Sequence, residues 1–92
     1  MVSTGKRGHV EILADILEVV KRQSNCRLIR VSYGANLPLD RAKKFLVQLA
    51  DSGLVTIRKE ESVTTYQITG RGLEFLDVHR KMLGFLEALK EE

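Results

Sequence analysis

Residues 28–53 read LIRVSYGANLPLDRAKKFLVQLADSG, and the fold turns on this stretch. From Leu39 on, Leu39, Ala42, Phe45, Leu46 and Leu49 recur at the spacing of one helix face. Arg41, Lys43, Lys44, Val47 and Gln48 fall away from the centre of that stripe. Pro38 opens the helix, where a missing N–H costs least. Asp40 suits the positive end of the helix dipole, and Gly53 closes the helix as a C-terminal glycine. Just upstream, residues 27–33 are ambiguous. Leu28, Ile29, Val31 and Tyr33 have strand propensity, yet Leu28, Val31 and Ala35 would share one side of a short helix. Periodicity over so few residues does not decide between them. Gly34-Ala35-Asn36 then breaks the chain, Asn being tolerant of the left-handed conformation at a helix end.

Working outward, residues 9–22 carry Ile12, Leu13, Ile16, Leu17 and Val20 on one amphipathic face. Gln23-Ser24-Asn25 reads as a turn. Downstream, residues 54–59 and 63–68 are β-rich runs separated by Glu60-Glu61-Ser62, a hairpin with a three-residue loop. Thr69 can cap a final helix that runs to about Lys90, roughly 30 Å at 1.5 Å per residue. The order is helix, short helix, helix, hairpin, long helix. This is an α+β, mostly α, winged helix-turn-helix followed by a long C-terminal helix. The organisation expected is a flexible basic arm over 1–8, a winged-helix domain over 9–69 and a dimerisation helix over 70–92.

The chain has 92 residues, 43% hydrophobic and 29% charged, which suits one globular domain rather than a disordered segment. A domain this small buries a limited fraction of its surface, so dimerisation would help it. One cysteine permits no intrachain disulfide and suits a reducing cytoplasm. No apolar run approaches the length of a membrane span, and the polar N-terminus is not followed by a signal-peptide segment. The net charge of +3 is uneven: residues 1–59 carry a net +6 and residues 60–92 a net −3. That asymmetry points to one side facing a polyanion.

Several short stretches carry a family resemblance. Tyr33-Gly34-Ala35-Asn36-Leu37 closes the second helix. Leu46, Leu49 and Gly53-Leu54-Val55 follow, then Tyr66-Gln67-Ile68-Thr69-Gly70-Arg71-Gly72 and Phe75-Leu76. From about His9 onward the chain resembles the small archaeal winged-helix DNA-binding proteins that dimerise through a C-terminal antiparallel coiled coil. The Tyr-x-Ile-Thr-x-x-Gly stretch is common to many winged-helix regulators and speaks for fold more than subfamily. The resemblance implies duplex DNA binding, either sequence-tolerant or regulatory, with the third helix in the major groove. It also implies an archaeal source and an antiparallel helix pair. Two departures stand out. Pro38 occupies a position where such proteins often place a capping Ser or Thr, and Glu60 and Glu61 sit at a wing tip where basic residues would reach phosphate.

Arg41, Lys43 and Lys44 are the first candidates for DNA contact, being on the helix a helix-turn-helix presents to the major groove. Arg can pair bidentately with guanine, and Lys with phosphate. Arg58 and Lys59 end the first wing strand, where they either reach the flanking backbone or protect a strand edge. Lys6 and Arg7 lie on the arm, which serves phosphate contact or simple solubility. Arg27 and Arg30 flank the second helix within reach of phosphate. The Tyr33 hydroxyl could donate to a phosphate, but the expected arrangement is packing on the core with the hydroxyl at the surface.

In the last helix Phe75, His79, Met82, Leu86 and Leu89 are spaced 4, 3, 4 and 3 apart, a heptad-like stripe that Leu76, Leu83 and Phe85 widen. Leu73 and Leu76 are expected to pack back on the domain. The remainder is too apolar for a lone helix in water and calls for a second copy of the same helix. His9, His79 and the lone Cys26 have no metal-ligand spacing. Nucleophile–base pairs, phosphate-cradling glycine loops and paired carboxylates are all lacking. The expectation is a cytoplasmic, nucleoid-associated homodimer that binds double-stranded DNA, with no cofactor, no membrane partner and no enzymatic activity. The competing reading is a winged-helix protein-interaction module, in which the long helix is the working surface.

Overall fold

The computed structural model describes residues 7–90. It contains α1 (His9–Arg22), α2 (Leu28–Gly34), α3 (Leu39–Asp51), β1 (Val55–Glu60), β2 (Val63–Ile68) and α4 (Gly70–Lys90). Four helices and an antiparallel hairpin thus follow one another as a winged helix with a long C-terminal helix.

The ambiguous segment after Cys26 is helical. Val31, Ser32 and Ala35 are buried and Leu28 half-buried, while Ile29, Arg30 and Tyr33 point outward. A strand would have put Ile29, Val31 and Tyr33 on one face. The helical period keeps the small and apolar residues together against α1 and α3.

Both turns that aim α3 use one device. At the end of α2, Asn36 takes a left-handed φ of 58°. Leu37 N–H then donates to Ser32 O at 2.9 Å and Asn36 N–H to Tyr33 O at 3.2 Å. At the end of α3, Gly53 takes φ 80°, with Leu54 N–H to Leu49 O at 2.9 Å and Gly53 N–H to Ala50 O at 3.0 Å. Each is a Schellman motif, which satisfies carbonyls the helix end would leave orphaned. The buried Ser32 hydroxyl adds a 2.5 Å hydrogen bond to Leu37 O, locking the turn between α2 and α3. Pro38 is the N-cap rather than the first helical residue, and it supplies no side-chain cap. Asp40 Oδ1 accepts from Arg41 N–H at 3.0 Å in partial compensation.

The core gathers Ile12, Ile16, Leu17 and Val20 of α1, Val31 of α2, Leu46 and Leu49 of α3, Val55, Tyr66 and Leu76. Ala14 and Val19 are buried as well, so the buried face of α1 is wider than the apolar stripe alone predicts. Val19 abuts Gly34, where an added Cβ would lie 2.6 Å from Val19 Cγ2. That close approach is the reason α2 ends in glycine.

In the wing, Val55 pairs with Ile68 and Glu60 with Val63. The loop is therefore two residues, Glu61-Ser62, and not three, because Glu60 completes the ladder and Glu61 turns the chain at φ 56°. Cys26 adds a single antiparallel bridge on the other side of β2, donating to Tyr66 O at 3.0 Å and accepting from Tyr66 N–H at 2.7 Å. Its buried thiol titrates above the ordinary value, raised by burial and partly offset by the nearby Arg30 charge.

Thr69 caps α4 as its position suggests. Its Oγ1 accepts from Gly72 N–H at 3.1 Å and its hydroxyl donates to Gly53 O at 2.7 Å. Leu76 is buried against the domain, but Leu73 is 47% exposed. Leu73 lies about 60° around the helix beyond Leu76, just outside the arc that Gly72, Phe75, Leu76 and His79 turn toward the domain. From Arg80 to Leu89 every residue is exposed, and α4 runs out beyond the domain to give a long axis of 55 Å.

Candidate nucleic-acid interface

The buried residues of α3 are Ala42, Phe45, Leu46 and Leu49. By the helical period the opposite strip is Asp40, Lys44, Val47, Gln48 and Asp51, all exposed. Lys44 is thus at the centre of the outward face. Arg41 and Lys43 are two positions apart, about 200° around the helix, so they flank that face on opposite sides. Arg41 lies over the Phe45 ring, with its guanidinium carbon 5.6 Å from the ring centroid. His9 packs on the same ring at 5.5 Å, so this flank faces the start of α1. Lys43 borders a groove under the wing with Val47, Ile57 and Lys59. None of the three cations is in an ion pair among the described residues. Val47 and Gln48, exposed one turn after Lys43 and Lys44, were not singled out by a search for charge. Their place on the outward strip was already implied by the helical spacing.

The wing basic residues diverge. Arg58 stands opposite Thr65 and Lys59 opposite Thr64. Adjacent residues of a strand face opposite ways, so Lys59 shares the inner face with buried Val55 and Tyr66 while Arg58 is on the outer face. Glu60 and Glu61 are exposed at the tip. Arg27 is the N-cap of α2 and Arg30 lies on its outward side, both exposed. Tyr33 does not pack on the core. It is 80% exposed, because the face of α2 that meets α1 is taken by Val31, Ser32 and Ala35. The Tyr33 side chain borders a shallow surface groove with Asn36, Leu37 and Pro38 at the helix-turn-helix corner.

Lys6 lies outside the described residues. Arg7 is bound to the domain: its guanidinium donates to Asp15 Oδ2 at 2.8 Å and to Asn36 O at 3.2 Å. Arg7 thereby links the segment just before α1 to α1 itself and to the turn before α3. Nothing in the local sequence marks this link, since Asp15 and Asn36 are 8 and 29 positions away.

On α4, Phe75 is half-buried against the core, and its ring stacks with that of His79, with centroids 6.3 Å apart and 11° between the planes. His79 Nε2 is buried without a hydrogen-bond partner among the described residues. Met82, Leu83, Phe85, Leu86 and Leu89 are exposed, Phe85 at 74% and Leu89 at 75%. Val78, 58% exposed, continues this face toward the domain. It was missed because the stripe drawn through Phe75 and His79 passes beside it. Val78, Met82, Phe85 and Leu89 are spaced 4, 3 and 4 apart, a heptad run made wholly of solvent-exposed residues.

Among the described residues no helix is long and apolar enough to cross a membrane, and no group of three or more His, Cys, Asp or Glu could hold a metal ion.

Comparison with known proteins agrees with this architecture. No protein of curated function matches the chain in sequence. Among solved structures, Sso10a-2, a DNA-binding protein from Sulfolobus solfataricus, superposes with a TM-score of 0.80 at 32% identity, over 90% of this chain and 85% of that one. Two regulators share the fold at lower identity. Bordetella bronchiseptica BpsR, whose DNA binding is regulated by 6-hydroxynicotinic acid, has a TM-score of 0.71 at 15% identity, over 87% of this chain and 57% of its own. Staphylococcus aureus MarR, solved with salicylate and kanamycin, has a TM-score of 0.65 at 20% identity, over 87% and 58%. The winged helix-turn-helix family matches residues 6–87, nearly the whole of the chain, and the chain belongs to that family.

Proposed function

We propose that this protein binds double-stranded DNA as a homodimer, as a transcriptional regulator or a chromatin-associated architectural protein of the nucleoid. The observation that carries the reading is α3, held outward by two Schellman turns with Lys44 at its centre and Arg41 and Lys43 on its flanks. The similarity to a DNA-binding protein of Sulfolobus solfataricus supports it, and supports an archaeal source. Phosphate contacts from Lys43, Lys44, Lys59 and Arg30 release counterions and make affinity fall with salt. Base reading falls to Gln48 and Val47, which the helix-turn-helix geometry turns to the major groove. Arg58 and Arg7 serve the flanking backbone. For Arg7 that contact competes with its bond to Asp15. The role is binding rather than catalysis, and it calls for no cofactor.

The second copy pairs through α4. Phe75 and His79 are partly occupied by their own domain, so the seam runs through Val78, Met82, Phe85 and Leu89, with Leu86 beside it and Leu83 farther round the helix, in line with Leu76. An exposed apolar run of this length on a projecting helix is otherwise unfavourable in water.

One set of observations favours a protein-interaction module instead: Glu60 and Glu61 at the wing tip, and Asp40 and Asp51 on the outward strip of α3. Titration of a random-sequence duplex at two salt concentrations separates the readings. Steeply salt-dependent binding, abolished in the R41E/K43E/K44E variant while sedimentation still reports a dimer, supports DNA binding. Unchanged binding in that variant removes α3 from the mechanism. No duplex binding at low salt leaves the interaction module.

A further inference from the structure

The wing overhangs α3 instead of lying flat on it. Val55, Ile57 and Lys59 share the inner face with Thr64, Tyr66 and Ile68. Val55 and Tyr66 are only 2% and 4% exposed, whereas Ile57 is 38% exposed and Lys59 is open to solvent. The face therefore leaves the core near Ile57. Beneath it lie Lys43 and Val47, one turn apart on α3, and Leu28 at the start of α2. The space between is a groove of about 310 Å³, at the small end of the range of ligand sites.

Its chemistry is two-sided. Leu28, Val47, Ile57 and the Tyr66 ring make an apolar floor. Lys43 and Lys59 bring two ammonium groups to one groove, neither in an ion pair among the described residues. The Tyr66 hydroxyl makes no hydrogen bond among the described residues, although the side chain is almost wholly buried. Tyr66 lines the groove. A phosphodiester would answer the lysines but leave the apolar floor wet. A hydrocarbon alone would cover the floor and leave two ammonium groups and a hydroxyl beside it without partners.

We propose that this groove binds a small amphipathic carboxylate, its hydrocarbon body on the floor and its charge with Lys43 and Lys59, and that occupation weakens duplex binding. The second half rests on the DNA-binding reading above: a lysine held by a bound anion no longer neutralises a phosphate.

Benzoate is a suitable probe. Isotope-labelled protein without DNA, titrated with benzoate and followed through its backbone amides, should show saturating shifts clustered at Leu28, Val47, Ile57, Thr64 and Tyr66. Benzyl alcohol, which keeps the body without the charge, and acetate, which keeps the charge without the body, should each bind about tenfold or more weakly. The K43Q/K59Q variant should lose about as much, with the rest of its spectrum unmoved. At fixed ionic strength, saturating benzoate should lower duplex affinity by about fivefold or more in the wild type and leave that of K43Q/K59Q unchanged. Shifts that are absent, or scattered over basic residues and equal with acetate, overturn the site whatever the duplex does. Clustered shifts with unchanged duplex affinity overturn the coupling. If no duplex binds at all, the DNA reading fails, and clustered shifts still establish the groove as a carboxylate site.

Discussion

Two glycines at the start of α4, two positions apart, are expected to respond oppositely to alanine. A Cβ at Gly70 would meet nothing within 4 Å, whereas one at Gly72 would strike the Leu54 carbonyl oxygen and lie 2.6 Å from Ile68 Cγ1. Neither has a positive φ, so the difference is one of space alone. At Gly70, alanine gains up to about 1 kcal/mol of helix propensity. At Gly72 the same gain is set against overpacking, about 1–3 kcal/mol. The obstacle is backbone that cannot swing aside, because Leu54 O accepts from Thr69 N–H at 3.1 Å. Moving it forfeits that bond, about 1 kcal/mol, and disturbs the Thr69 cap on the Gly72 amide. The net expectation for G72A is a loss of about 2 kcal/mol, or on the order of 10 °C in Tm for a domain of this size. G70A should be neutral or more stable. Thermal and urea unfolding followed by circular dichroism decide the matter, at one protein concentration because association shifts Tm. A G72A protein as stable as G70A would refute the claim that contact with Leu54 and Ile68 fixes the direction of α4.

Other expectations follow from the same geometry. F85D should dissociate the dimer in sedimentation experiments, and L73D, on the opposite side of α4, should leave it intact; the reverse result would misplace the seam. K44Q should lower duplex affinity and reduce the slope of log affinity against log salt by about 0.9 if Lys44 meets one phosphate, while an unchanged slope would assign Lys44 to a base or to solvent. Burial raises the titration of both Cys26 and Tyr66. For each, the unfolded chain ionises first as pH rises. Their contribution is therefore full below the ordinary thiol and phenol values and is lost as pH climbs through the folded ones. The urea midpoint should decline in the alkaline range, less steeply in C26A than in the wild type, and parallel declines would remove Cys26 from the effect.

Where periodicity was long, it was decisive. The apolar stripes of α1 and α3, the capping role of Thr69, the left-handed turns at Asn36 and Gly53 and the alternation of the wing are all local properties. A helix or strand of a dozen residues repeats its instruction several times, and a cap needs only its immediate neighbours. Seven residues of α2 do not repeat it enough, and packing of Val31, Ser32 and Ala35 made that choice. The cluster Arg41, Lys43 and Lys44 was visible as charge. Its division into one central and two flanking residues follows from the helix axis relative to the core.

What the amino-acid sequence determined by itself was the order of the longer elements, most of their ends and the family they compose, because backbone preferences and hydrophobic spacing act over a few residues. Tertiary structure alone decided which groups meet across tens of residues. It joined Arg7 to Asp15 and Asn36, and Cys26 to Tyr66. It turned Tyr33 outward, committed Phe75 and His79 partly to their own domain, and opened a groove between Lys43 and Lys59. Such meetings depend on the angles between packed elements, and those angles are set by close approaches such as Val19 on Gly34 and Leu54 on Gly72, which no local pattern encodes.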